Sequence, residues 1–372
     1  MTDRAIRIDR GKTLAEEPGT GHNRWHPDIP PVLRVAVGEV VTFQTRDAFD
    51  GQITASSTAE DVGKVDLSRV HALTGPVYVE GAEPGDLLEV ELIGMDPQPF
   101  GFTIQVPGFG FLRDRFPEPH IVHWEIADGY ATSPDLPNVR VPGAPFPGVI
   151  GLAPSHEDLA RIAAREANLA GRGGTVLLPD ASGAVPTDPR IAGEALRTIP
   201  PREQAGNVDI KQLTAGTRML IPVSAEGALL SVGDGHFAQG DGEVCGTAIE
   251  MAATLHCRLD LRKGVARDRG IVDTQYVIAD YFMPPEIAVP RRCFVTTGMS
   301  ITKDGRNESE DATLAARNAV LNMIDHLGAE YGYSRQQAYA ICSVAVDLRI
   351  NQMVDVPNFV VSAFLPLDIV GG

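Results

Sequence analysis

The sequence predicts a β-rich α+β fold, with a β-sandwich or barrel-like N-terminal half and a mixed α/β C-terminal portion that carries two packed helices. Two patterns predict it. Through the first hundred residues and again at 253–262, apolar residues alternate with polar ones between glycine turns, which is the period of a strand. From Ala312 the apolar spacing lengthens most clearly to that of a helix.

The opening residues Met1 to Asp9 alternate charge with apolarity, which suits a first strand and lacks the long apolar stretch of a signal peptide. Val35 to Thr45 and Leu87 to Ile93 read as further strands. Between Pro76-Val77-Tyr78-Val79 and Leu87-Leu88-Glu89-Val90, the segment Gly81-Ala82-Glu83-Pro84-Gly85-Asp86 is a turn signal whose acids are expected to face solvent. Residues 96–119 hold five prolines and five phenylalanines with little periodicity. They predict a long ordered loop pinned by aromatic side chains and able to wall off a pocket. The Pro/Gly-rich stretch from Val141 to Pro154 suggests a β-rich domain over 1–155 and an α+β domain over 156–372, unless the two form one integrated unit.

In Ala253 to Arg262 every odd position is apolar and every even one polar, so one face is dry. His256 falls on the wet face and reads as a surface residue rather than a ligand. A charged stretch at 303–311 precedes the clearest helix, in which Ala312, Ala315, Ala316, Ala319, Val320, Met323, Ile324 and Leu327 form one stripe and Gly328 is the expected stop. Ser334 with Gln337 resembles a capping box that opens a second helix through Ala338, Ile341, Cys342 and Ala345.

The 372 residues suffice for a large core. The formal charge of −17, from 49 acids against 32 bases, argues against nucleic acid and anionic membrane, which both need a basic footprint. A small neutral substrate fits better. No segment approaches the ~18 consecutive apolar residues of a membrane span, and a cytoplasmic location is expected. The cysteines at 245, 257, 293 and 342 lack metal-finger spacing and read as reduced, mostly buried thiols.

The most informative segment is Gly233-Asp234-Gly235-His236-Phe237-Ala238-Gln239-Gly240-Asp241-Gly242-Glu243, which follows the apolar run Ala228 to Val232. A turn built on its four glycines would aim three carboxylates, an imidazole and a carboxamide at one point. Their repulsion would be relieved by a divalent cation or a shared proton. The competing reading is a solvated acidic hairpin. Three other places carry polar groups in unusual settings: Asp47 and Asp50 before Gly51, His71 before Thr74-Gly75-Pro76, and Asn207 and Asp209 after Gly206. Spacing alone does not show that they converge, and a lone histidine such as His71 is more often a hydrogen-bonded core or rim residue.

Together these stretches resemble the acetamidase/formamidase family. The matching segments are Arg46 to Ile53, Val70 to Asp86, Gly206 to Leu213, Gly233 to Glu250, and Ser343 to Ile350 with Gln352 and Val354-Asp355, in order along most of the chain. The resemblance implies hydrolysis of a small amide to a carboxylate and ammonia by a homo-oligomeric, β-rich enzyme, some members of which hold a divalent metal. His71-Ala72-Leu73 departs from the His-Pro-Leu or His-Tyr-Leu of the family, and Asp47-Ala48-Phe49-Asp50 lacks the tryptophan of the formamidase branch. Both departures point away from formamide, toward a somewhat larger amide or another branch of the family.

The chemistry of an amidase needs an activated nucleophile, a polarised carbonyl oxygen and a protonated leaving nitrogen. Asp234 and His236 are the candidate ligands of a divalent metal, Zn²⁺ first, with His71 and Asp50 as further ligands, because mixed nitrogen and oxygen sets suit such ions. Glu243 is the candidate general base and Asp241 its orienting neighbour. Asn207, Asp209 and Gln239 are candidates to bind the amide group. Cys245 reads as a small buried residue and not as a nucleophile. A lactam hydrolase, which the aromatic loop favours, and a non-catalytic metal- or amide-binding protein are the alternatives.

Overall fold

Alternation decides the architecture most plainly in the strand Ala253–Arg262, whose Ala253, Leu255, Cys257 and Leu259 are buried while the residues between them face outward. The computed structural model describes residues 4–278, 284–288 and 292–370. In it Ala253–Arg262 lies antiparallel between Val40–Thr45 and Leu87–Pro97. These three belong to a six-stranded sheet completed by Ala5–Ile6, Thr217–Pro222 and Gln275–Ile278. Of the expected first strand, residues 1–3 lie outside the described residues, and Ala5–Ile6 pairs as a strand.

An eleven-stranded sheet faces it. Near its middle runs Leu230–His236, between Phe146–Gly151 on one side and Glu250–Met251 on the other. Leu73–Val79 pairs with the first part of the same strand. Val41, Phe43, Leu88, Val90 and Leu255 of the first sheet pack against Val77, Val79, Phe146, Ile150 and Val232 of the second, so the core is that of a sandwich. Neither sheet closes into a barrel among the described residues. Both take strands from either side of residue 155, which therefore separates no two sheets.

A third layer covers one end. The antiparallel strands Cys293–Met299, Val360–Pro366 and Asp347–Gln352 lie beside the helices Ala312–Tyr331 and Arg335–Ala345. The expected stripe is buried at Ala315, Ala319, Val320, Met323, Ile324 and Leu327. The helix runs past Gly328 to Tyr331, because the left-handed residue that caps it is Gly332, at φ 76°. The second helix starts at the reciprocal Ser334 and Gln337 hydrogen bonds of a capping box. A further helix, His156–Gly171, is capped by Ser155, which accepts from the Asp158 N–H.

Two other expectations change. Residues 96–119 are not one loop: Leu87–Pro97 extends into them and Phe100–Gln105 pairs with His120–Ala127, leaving 106–119 as the loop. There Phe116 stacks on Tyr339 at 4.3 Å. In the turn before Leu87, Asp86 is buried rather than solvent-facing, because its carboxylate accepts from the N–H groups of Glu83 and Gly264 and from Lys263. His256 stays half-exposed with Asp96, as its wet face requires.

Candidate active site

Gly233-Asp234-Gly235-His236 is strand, not turn. Period 2 therefore points both glycines to one face and Asp234 and His236 to the other. A Cβ on Gly233 would lie 2.8 Å from Leu73 and one on Gly235 2.8 Å from the Met251 carbonyl, so the glycines serve close packing behind the site. In register, His236 lies opposite Glu250. Glu250 is a site residue the sequence reading omitted. Its only local signal is an acid inside the apolar run Ala248-Ile249-Glu250-Met251, and nothing in the spacing shows which strand it will pair with. The pairing sets Glu250 Oε1 3.3 Å and Asp234 Oδ1 3.2 Å from His236 Nε2.

The turn proper begins after His236 and returns Glu243 to the same place, its Oε1 3.8 Å from His236 Nε2. Gly240 N–H donates to the Ser343 carbonyl and Glu243 N–H to the Gly240 carbonyl. Gln239 is spent on positioning: its amide nitrogen donates to the Asp209 carbonyl at 2.8 Å, so its oxygen accepts from His236 Nδ1 at 2.9 Å. The Nδ1 proton is thereby fixed and Nε2 faces the carboxylates.

Asp209 arrives from the loop after Ala205–Asn207, held by the N–H groups of Val208 and Asp209 on the Gly148 carbonyl. Gly148 is the second omission. A Cβ there would lie 2.7 Å from Asp234 Oδ2, 2.7 Å from His236 Cε1 and 2.8 Å from Asp209 Oδ1, so only glycine leaves the floor of the site open. His71 Nε2 stands 3.7 Å from Asp234 Oδ2, and its backbone N–H donates to Thr198 Oγ1. Three of the carboxylate residues sit on left-handed backbone, with φ of 46° at Asp209, 55° at Asp234 and 41° at Glu243. Each such non-glycine position costs roughly 1–3 kcal/mol and persists where surrounding contacts over-determine it.

The cluster carries more negative groups than it can ionise unaided. Burial disfavours the His236 imidazolium, yet Glu250 and Asp234 outweigh it and hold the ring's pKa well above its usual value. Burial would raise the Asp234 carboxyl, but His236 and then His71 hold it well below the usual carboxylate range. Burial pushes Glu250 up to about 8 and Asp209 up to about 7, and burial followed by the Asp209 charge lifts Glu243 well above its ordinary value. Burial lowers the His71 pKa. At neutral pH an Asp234–His236 ion pair thus lies beside carboxyls that retain protons.

His71, Asn207, Asp209, Asp234, Glu243 and Glu250 line one cavity of about 420 Å³. His71 Nδ1, Asn207 Oδ1, Asp209 Oδ1, His236 Nε2 and Glu250 Oε2 are buried without a hydrogen-bond partner. Buried polar atoms are rarely left so, and a group of them around one space marks a place for a ligand. Within each of two sets, Asp209 with His236 and Glu243, and Asp234 with His236 and Glu250, one possible ligand atom per residue lies within 4.8 Å of the others.

Two expected site residues lie elsewhere. Asp50 accepts from Leu14 N–H and from Arg69, both at 2.7 Å, with Arg46 at 3.7 Å, and its carboxylate ties the N-terminal segment down rather than reaching the cavity. Asp241 does not orient Glu243: its side chain faces Lys211 at 3.9 Å and accepts from Gln212 at 3.3 Å. Cys245 is buried, and burial pushes its thiol up to about 11, far from a thiolate. Cys257 and Cys342 are buried too, and Cys293 is half-buried. The aromatic loop does form a wall: Phe111 N–H donates to the Val244 carbonyl, Leu112 N–H to Tyr339, and Phe109 and Phe111 line the cavity.

Residues 7–371 match the sequence profile of the Acetamidase/Formamidase family. The chain is 38% identical to a formamidase of Methylophilus methylotrophus, over 98% of this chain and 93% of that one. It is also 38% identical to an acetamidase of Mycolicibacterium smegmatis, over 92% and 89% of the two chains. A solved gamma lactamase from Delftia acidovorans aligns with a TM-score of 0.93 at 37% identity, covering 99% of this chain and 93% of that one. For an acetamidase from Bacillus halodurans the TM-score is 0.55 at 26% identity, with 94% and 96% covered.

Proposed function

The chain belongs to the acetamidase/formamidase family, and on that premise we propose that it is an amidohydrolase converting a small aliphatic amide and water to a carboxylate and ammonia. One observation carries this: Asp209, Asp234, Glu243 and Glu250 line a single cavity, with His236 grouped among them and partnerless polar atoms around it.

The donor set suits a divalent metal, Zn²⁺ first among them, held by His236 Nε2 with Asp234 and Glu250 and by Asp209 from the opposite strand edge, with His71 nearby. When bound, such an ion polarises a carbonyl oxygen and lowers the pKa of water. The remaining steps belong to the chain. Glu243 in its carboxylate form takes a proton from the attacking water, and the raised affinity of its carboxyl for a proton makes it the base of the cluster; it then returns that proton to the departing nitrogen. Asn207 Oδ1 and Asp209 Oδ1 accept from the amide N–H groups, which orients the carbonyl carbon toward the attack. Gln239 keeps His236 in one tautomer. Phe109 and Phe111 screen the site from bulk water.

The test is ammonia release from formamide and acetamide by untreated, chelator-treated and metal-restored enzyme. Release in the first, loss in the second and recovery in the third are expected. No ammonia from any amide under any metal condition ends the proposal. Lactam opening is the second reading, favoured by the TM-score of 0.93 to the gamma lactamase against 0.55 to the acetamidase. Amino-acid formation from a γ-lactam would reveal it. Self-association is a further proposal, supported by exposed Val272, Ile350, Val354 and Val356, each more than half accessible; light scattering that gives a monomer mass rejects it. No helix among the described residues is long and apolar enough to cross a membrane.

A further inference from the structure

The cavity wall is of two kinds. Asp209, Asp234, Glu243, Glu250 and His71 supply its polar part, while Phe49, Leu67, Val70, Ile104, Val106 and Ile199 supply an apolar one. Those six are not scattered apolar residues. They belong to a single hydrophobic cluster built under the strand Phe100–Gln105, so the cavity wall there is the open face of a packed core. Val70 and His71 are adjacent in sequence, and the change from apolar to polar wall takes place within one residue.

The aromatic loop adds to this apolar wall. Phe109 is 40% exposed, although it lines the cavity. It rests on Gly246, where a Cβ would come within 2.6 Å of its ring, and a Cβ on Gly110 would lie 2.7 Å from the Cys245 carbonyl. The loop is thus seated on the segment that follows Glu243, and its phenyl ring joins the apolar part of the cavity wall. A formyl hydrogen or an acetyl methyl beside the carboxylates leaves this wall in water.

Resting on the amidase reading above, we infer that the acyl group this enzyme is shaped for is an apolar chain or ring of several carbons, laid along Phe49, Ile104, Val106, Ile199 and Phe109 while the carboxamide meets the acids. Both ends of the substrate are then matched. The carboxamide satisfies polar atoms that have no partner in the chain, and the hydrocarbon leaves water for a wall already built.

Ammonia release by the full chain from formamide, acetamide, butyramide, hexanamide and cyclohexanecarboxamide tests this. Expected is a kcat/KM that rises about fourfold for each methylene from acetamide to hexanamide, the factor that burial of one methylene supplies. Phe109→Ala, at a partly exposed loop position, is expected to cut the hexanamide-to-acetamide ratio roughly tenfold, and Ile199→Ala to do likewise. Cleavage of acetamide with a flat or falling kcat/KM along the series overturns the inference and leaves the amidase reading standing. Ammonia from no amide at all overturns both.

Discussion

Glu243 is set apart from the other acids by where its proton goes. Asp234 stays ionised against His236, whereas Glu243, buried beside Asp209, is poised to gain and lose one. Glu243→Gln removes that capacity with little change in shape, and turnover is expected to fall by about 10²–10⁴ with KM nearly constant. Steady-state kinetics on one amide decides it. Gln239→Leu should act indirectly, freeing the His236 tautomer and weakening metal binding by about 10–100-fold without touching substrate; isothermal titration with Zn²⁺ reads the loss. At Gly148 the expected effect of Ala is steric. Three site groups stand within 2.8 Å of the new methyl, and a displacement of that kind costs on the order of 100-fold in kcat/KM. A Gly148→Ala enzyme with native kinetics would show that the floor of the site is more open than the distances allow. Of these residues Glu243 was legible in the sequence by its chemistry. Gly148 was not, because a missing side chain matters only through what lies opposite it.

At the scale of elements, the site is a strand and a turn clamped between neighbours. Leu230–His236 fixes Asp234 and His236 by its alternation, and the strand Glu250–Met251 adds Glu250 through register. The intervening turn is held from the C-terminal layer: Ser343 accepts from Gly240 N–H, and Asp347 accepts from Asp241 N–H at 3.1 Å while pairing with buried Lys211. Lys211→Met takes the buried cation from Asp347 and leaves it only the half-exposed Arg349 at 3.9 Å and the Asp241 N–H, with an expected loss of about 3 kcal/mol in denaturant unfolding. Adding Asp347→Leu should restore most of it, since no buried charge then remains. A double variant as unstable as the single one would show that the pair is not what holds the turn. Of the four glycines, Gly242 at φ 106° does turn the chain, whereas Gly233 and Gly235 lie in the strand and are no hinge. Gly233 and Gly235 are small because Leu73 and Met251 press on them, and only tertiary contact distinguishes that from a need for unusual backbone angles.

The whole molecule feels the site as stored repulsion. Asp209 and Glu250, raised to about 7 and about 8 by burial, hold protons in the folded chain that the unfolded chain has already released. Their contribution to stability is present below the ordinary carboxylate range and is lost as pH rises through 7 to 8. Asp234 acts in the opposite sense, its contribution being lost as pH falls below the usual carboxylate range, and so it does not cancel the loss at neutral pH. Metal-free protein should therefore melt at progressively lower temperature from about pH 5 to about pH 9. Zn²⁺ should flatten that slope, because ligands must be deprotonated to bind it and binding releases protons. Scanning calorimetry with and without chelator reads both. A melting temperature independent of pH in chelator would mean that the carboxyls titrate normally.

Sequence alone determined the strand-rich class and the two C-terminal helices with the capping box at Ser334, and it singled out the segment from Asp234 to Glu243, whose two end residues line the cavity. These are local properties: period, cap and composition are fixed by neighbours a few residues away. Tertiary structure alone decided that Asp209, Gly148, His71 and Glu250 join that segment, that Asp50 and Asp241 turn to arginine and lysine instead, and that the sheets cross residue 155. The reason is that strand pairing and burial are long-range. Which carboxylate loses its water, and beside which partner, depends on a register that no spacing along the chain records.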